Sequence, residues 1–256
     1  AGKVEIIVRV SFRSKQAVVD LSRKFGCALE ELPLLVDLAQ QNGIEIVGLS
    51  FHVGSQSLSP MTQTNAIRAS VAAMKVMNSV NWKFLDIGGS FPVSYQETVL
   101  PIDDFCAPLM EALSELPEGI EVFAEPGRFI SAPSMIEVVS VVGKAKRGAR
   151  MWYYLDDGVY GGFSGQMFDH ASYPLAPLKP FDALGEFLPS VLAGPTCDSI
   201  DVVAEDIELP EMQIGDILVG KQMGAYTIAS ATEFNYYPKP KVVVVEDIFD
   251  PETEAL

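Results

Sequence analysis

A rhythm over residues 1 to 142 constrains this chain more than any other feature. Short runs of continuous apolar residues alternate with helical stretches, about 35 residues apart, as successive βα units require. "KVEIIVRV" precedes a helical stretch from about Lys15 to Phe25, and a second one over 30–42, with Pro33 suited to its first turn, stops at Gly43. "IEIVGLSF" follows, then "SPMTQTNAIRASVAAMKVMNSV", which offers Ser59 as an N-cap and Pro60 just inside the helix. "KFLDIGGSF" is a third strand, "PIDDFCAPLMEALSEL" a further helix and "GIEVFAEPGRF" a fourth strand. Strands that are apolar without alternation are buried on both faces, which is the mark of a parallel sheet covered by crossover helices.

The texture changes near residue 143. Short β-rich runs dominate ("MWYYLDDGVYG", "PSVLAGP", "DILVG", "KVVVVED"), separated by turn residues such as Asp157-Gly158, Gly161-Gly162 and Gly194-Pro195. The expected fold class is therefore α/β plus β. Residues 1–142 supply the second half of a TIM-like (β/α)8 barrel, and residues 143–256 a mainly antiparallel β domain of sandwich or barrel type. "KAKRGAR", residues 144–150, reads as a solvated basic loop between them.

The formal net charge of −16 argues against nucleic acid or an anionic membrane as the main partner. No apolar run reaches the roughly 18 residues that span a bilayer, and the N-terminus lacks the three-part pattern of a signal peptide. Three well-separated cysteines, Cys27, Cys106 and Cys197, form neither a disulfide framework nor a zinc motif and suit a reducing, cytoplasmic setting. With only two histidines, His52 and His170, no metal site is expected.

The chemistry is concentrated where the parallel strands end. The second strand runs into "FHVGS" with His52 and Ser55, the third into "DIGGS" with Gly88, Gly89 and Ser90, and the fourth into "EPGR" with Glu125, Gly127 and Arg128. Ligands of α/β folds bind at the carboxyl ends of parallel strands, so these segments are expected to share one rim. Taken singly, each has a plain structural explanation: a tight turn, a surface ion pair, a buried histidine. Together, glycine amides and an arginine suit an anion. A carboxylate three residues before that arginine suits a ligand with a phosphate at one end and a basic ring nitrogen at the other, which describes pyridoxal 5′-phosphate (PLP).

"SFHVGS", "LDIGGSFP", "FAEPGRF", "DDGVYGGF…FDH", "AGPTCDSID" and "MGAYT…FN" occur in that order, and from about Val4 to Pro238 the chain resembles the eukaryotic-type ornithine decarboxylases, PLP enzymes with an alanine-racemase-like barrel and a β domain. The resemblance implies that His52 stacks on the cofactor ring, and that Ser55, Gly88, Gly89, Ser90, Gly127, Arg128 and Tyr226 hold its phosphate. Glu125 would pair with the pyridine nitrogen, with Arg9 near the cofactor fixing Glu125. It also implies that Asp157 and Asp198 grip the distal ammonium of a diamino acid, that Cys197 controls protonation after CO2 leaves, and that Phe234 walls the pocket. The active form would be a homodimer whose "GPTCDS" loop and Phe234 complete the site of the partner subunit.

Two departures stand out. Ser90 replaces the third glycine of the family's turn and is expected to be tolerated if its backbone stays in an allowed region. More important, the family's catalytic lysine lies in a segment like "YAVK", and none of the eleven lysines, from Lys3 to Lys241, has that context. Four strand modules also fall short of the eight in a closed barrel. The first half of the barrel, lysine included, is therefore expected outside this chain, in a protein of about 40–45 kDa by module arithmetic. The implied reaction is decarboxylation of L-ornithine to putrescine, with arginine, lysine or diaminopimelate as neighbouring substrates. A catalytically silent paralogue acting as a regulatory binding protein is the alternative. A PLP-free barrel enzyme explains Gly88, Gly89 and Arg128 but leaves Glu125 without a role.

Overall fold

The computed structural model describes residues 4–12, 24–179 and 185–245. The helical stretch expected from Lys15 lies almost wholly outside the described residues. The chain divides into two compact units that meet between Ser134 and Met135.

In the first unit, β1 (Val4–Val10), β2 (Ile44–Phe51), β3 (Phe84–Asp86) and β4 (Glu121–Phe123) pair in chain order as a parallel sheet. Parallel neighbours need crossovers, and α1 (Leu32–Gln41), α2 (Pro60–Val76) and α3 (Ile102–Leu113) supply them. The proline and glycine punctuation works as the sequence predicts, while Ser59 holds the N-cap position of α2 without a side-chain capping hydrogen bond. Pro33 lies in the first turn of α1, Gly43 follows its end at φ 70°, and Pro60 opens α2 behind an extended Ser59. The core joins the sheet to its helices: Leu49, Phe51, Ile67, Met74, Leu85, Phe105 and Leu109 are all buried. Each such side chain contributes about 1.5–3 kcal/mol through burial. Four in-order parallel strands are half of a closed (β/α)8 barrel. The outer strands carry the mark of this, because Val4 and Ile7 of β1 and Val122 and Phe123 of β4 are exposed.

The second unit holds β5 (Glu137–Arg147), β6 (Arg150–Leu155), β7 (Leu175–Pro177), β8 (Phe187–Ala193), β9 (Val202–Pro210) and β10 (Ile217–Gly220) in one sheet of order β7-β10-β5-β6-β8-β9. All pairs are antiparallel except β6–β8. Two local expectations need correction. The basic segment 144–150 is not a loop: it forms the ends of β5 and β6 and their tight turn, with Arg147 paired to Arg150 and Gly148 at φ 62°. Its positive charges are accommodated because the Arg147 guanidinium lies 4.8 Å from the Trp152 ring centre. Conversely, "KVVVV" forms no strand over residues 241–244. Val242 to Val245 are all half exposed, because β-branched residues favour a strand only where a neighbouring ladder exists.

Candidate active site

The first unit gathers the predicted strand ends by main-chain ties. The Glu125 amide donates to the Gly88 carbonyl at 2.9 Å, and the Ile87 amide to the Phe123 carbonyl at 2.9 Å, so the segments after β3 and β4 run together. Gly88, at φ 66°, is the contact with the segment after β2: a Cβ there would collide with the Phe51 carbonyl oxygen. A Cβ on Gly89 would lie 2.7 Å from the Glu125 carbonyl oxygen and 3.0 Å from His52 Nε2. Both glycines are therefore required by the close approach of neighbouring backbone. Buried Gln63 of α2, which the motifs did not single out, secures the turn by donating from Nε2 to the Ile87 and Gly89 carbonyls at 2.9 and 3.1 Å.

His52 is half buried here. The Gly54 amide donates to its Nδ1 at 3.1 Å, and Ser90 Oγ lies 3.3 Å from the same atom. Burial, then the positive charge of Arg9, pushes its pKa down. The ring is accordingly neutral, with Nδ1 accepting and the proton assigned to Nε2. Ser90 sits at φ 79°, so the serine occupies the left-handed region where a glycine would be unstrained. The tolerance expected of this substitution comes with a strained backbone.

Arg128 is 94 % buried, being 6 % exposed. Its Nε and Nη2 donate to Ser55 Oγ at 3.3 and 3.1 Å, and Nη1 donates to the Tyr95 hydroxyl at 2.7 Å. Arg9, on β1, stacks against Phe25 with its guanidinium carbon 5.4 Å from the ring centre, yet its Nε and Nη2 are buried without a hydrogen-bond partner among the described residues. Glu125 is exposed, two residues beyond β4.

The second unit brings together another group. Tyr160, inside the quoted "DDGVYGGF" but not singled out there, donates its hydroxyl to Asp198 Oδ2 at 2.5 Å and stacks on Phe234 with ring centres 4.3 Å apart. The bond holds the Asp198 carboxyl below its ordinary range and pushes the Tyr160 phenol up to about 12. The neighbouring exposed Cys197 donates its amide to Asn235 Oδ1 at 3.0 Å. Asp157 uses both carboxyl oxygens locally, accepting from the Gly158 and Gly162 amides at 2.8 and 2.7 Å, and so shapes the loop that carries Tyr160. Glu137 packs beside it; burial and the Asp157 charge push its carboxyl up to about 7. Asp201, only 2 % exposed, accepts from the Val159 amide at 2.9 Å and from the Thr196 amide and hydroxyl at 3.0 and 2.7 Å. Tyr226 is exposed at φ 55°. Among the described residues no group of three or more His, Cys, Asp or Glu side chains could hold a metal, and no helix is long and apolar enough to cross a membrane.

The profile of the family described as "Pyridoxal-dependent decarboxylase, pyridoxal binding domain" matches residues 1–132. The chain is 38 % identical to a lysine/ornithine decarboxylase of Selenomonas ruminantium, over 98 % of this chain and 63 % of that protein. It is 34 % identical to an ornithine decarboxylase of Cricetulus griseus, over 94 % of this chain and 56 % of that one. The crystal structure of a lysine/ornithine decarboxylase from Vibrio vulnificus complexed with putrescine superposes with a TM-score of 0.85 at 50 % identity, over 94 % of this chain and 63 % of that one. The chain thus spans rather less than two thirds of each of these relatives.

Proposed function

The chain belongs to the pyridoxal-dependent decarboxylases, and from that membership we propose that it binds PLP and serves the decarboxylation of a basic amino acid, L-ornithine foremost, to its diamine. The observation that carries this reading is the convergence of His52, the Gly88-Gly89 turn and the Ser55–Arg128 pair behind three adjacent parallel strands. The residues fit the cofactor. The Arg128 guanidinium and the Ser55 and Tyr95 hydroxyls bonded to it are donor groups of the kind an anion takes. The buried Nε and Nη2 of Arg9, without a hydrogen-bond partner among the described residues, suit an anionic partner.

Bound PLP supplies an electron sink for the carbanion left when CO2 departs. Ser55, Gly88, Gly89, Ser90, Gly127, Arg128 and Tyr226 would hold its phosphate. The neutral His52 ring would cover one face of its ring, excluding water without adding a competing charge. Glu125 would hold a proton at the pyridine nitrogen, assisted by Arg9. Asp198 and Asp157 would read the distal ammonium, with the Tyr160 hydroxyl orienting the Asp198 carboxylate, Asp157 also fixing the loop behind it and Phe234 walling the pocket. Cys197 would govern delivery of a proton to the carbon that loses CO2. The barrel's remaining strands and the lysine that holds the cofactor covalently would come from elsewhere in the protein. The working form would be a homodimer that shares its sites through the Gly194–Ser199 segment and Phe234. Ornithine is ranked before lysine and arginine on the resemblance; relatives include enzymes named for each.

The test is to incubate the full-length protein with PLP and follow both its visible absorbance and CO2 release from ornithine, lysine and arginine. A cofactor band with fastest release from ornithine is the expected result. A band without CO2 release from any of the three would leave a silent binding protein, and no band would overturn the reading.

A further inference from the structure

Gln56 is a residue whose backbone is in the wrong place for its type. It follows Ser55 directly and sits at φ 55°, a left-handed conformation that a side chain destabilises and a glycine does not. Such strain persists where the side chain contributes something in return. Here its amide makes a two-point clamp: Nε2 donates to the Val93 carbonyl at 2.5 Å, and the Val93 amide donates to Oε1 at 3.1 Å. This fastens the segment after β3 onto the segment after β2. Their main chains touch once more, where the Ser57 amide donates to the Ser90 carbonyl at 3.3 Å. Two residues beyond the clamped Val93 lies Tyr95, whose hydroxyl accepts from Arg128 Nη1 at 2.7 Å and whose ring centre lies 5.7 Å from the guanidinium carbon. Ser55, the residue before the clamp, takes the other two nitrogens of Arg128.

We propose that Tyr95 and Gln56 are positioning residues of the anion site: Tyr95 fixes the orientation of the Arg128 fork, and the Gln56–Val93 clamp fixes Tyr95. This inference rests on the assignment of Arg128 to the cofactor phosphate made above. A guanidinium recognises phosphate by the direction of its donors, so its aim matters as much as its charge. Ser55 bonds to Nε and Nη2 and fixes one edge of the fork. Tyr95 fixes the far nitrogen, and the two hydroxyls together hold the plane. Neither residue needs to carry charge, so neither stands out in a search for charged motifs.

Full-length wild type, Y95F and Q56G are to be titrated with PLP, with pyridoxal, which lacks the phosphate, and with inorganic phosphate read as a shift in thermal midpoint. Y95F is expected to weaken PLP and inorganic phosphate about tenfold, as for one lost hydrogen bond to a charged group, while pyridoxal affinity stays within about twofold. Q56G relieves the left-handed strain but removes the two-point clamp, and it should weaken PLP and phosphate in the same selective way. If Y95F proves insoluble, Q56G carries the test alone. PLP and phosphate binding unchanged in a soluble Y95F, or in Q56G if Y95F is insoluble, overturns the inference and leaves the proposed function standing. Equal weakening of PLP and pyridoxal also overturns it, as a general loss of structure. Wild type that binds neither PLP nor phosphate sinks both.

Discussion

Tyr160 donates its hydroxyl to Asp198 across 2.5 Å while its ring lies on Phe234, so one side chain both orients the carboxylate and builds the wall of the corner proposed to read a substrate ammonium. Replacing it by phenylalanine keeps the stacked ring and removes only the donor. Y160F is expected to let the Asp198 carboxyl titrate at higher pH and to raise KM for ornithine by about tenfold with a smaller change in kcat, the size of one charge-assisted hydrogen bond. A KM for ornithine equal to that of wild type would refute the role assigned to this pair.

Glu137 gives a pH dependence of stability with a defined sign. Its carboxyl titrates near 7 in the folded chain against a reference of 4.5. The folded state therefore holds the proton longer than the unfolded state, and stability falls as pH rises from about 4.5 to about 7, then levels off. Discounted for residual solvent, the loss amounts to about 2 kcal/mol. E137Q keeps a donor toward Asp157 without the charge, so it should flatten this slope and be the more stable protein at pH 8. Denaturant unfolding at a series of pH values measures both.

Gly88 tolerates no side chain on two separate grounds, its φ of 66° and the Phe51 carbonyl oxygen lying where a Cβ would go. G88A is expected to lose about 3 kcal/mol or more, the range for combined overpacking and backbone strain. G43A meets nothing within 4 Å although its φ is 70°, so it should lose only about 1 kcal/mol, which isolates the backbone contribution. Urea midpoints of the two variants, compared with wild type, settle the ratio.

Ser90 is a substitution that can be undone. At φ 79° it is strained, and S90G should gain about 0.5–1 kcal/mol, the relief of left-handed strain less the added freedom of the unfolded glycine. The same change removes the hydroxyl beside His52 Nδ1. NMR titration of the His52 ring is expected to register that loss while the unfolding midpoint rises.

What was legible in the sequence followed from local rules. The parallel strands read as largely apolar runs, helices were bracketed by Pro33, Gly43 and Pro60, and glycines after strands marked a rim. What escaped notice depends on neighbours that no window contains. The basic stretch 144–150 became a hairpin because Trp152 lies across from it, and the valines from 242 stayed outside the sheet although their type favours one. Tyr160 stood inside a quoted motif, but its importance comes from Asp198, 38 residues away. Gln56 and Tyr95 are neutral residues whose service to Arg128 emerges only when two strand ends are laid side by side.

Asp201 has a practical consequence for anyone altering this protein. Its buried carboxylate ties the turn at Val159 to the turn at Thr196, and its oxygens fill the space beside Gly158 and Gly194. The two turns thus behave as a single interchangeable part. A graft of either one alone from a relative leaves the buried Asp201 side chain facing a foreign backbone, whereas moving both with their aspartate transplants a finished unit.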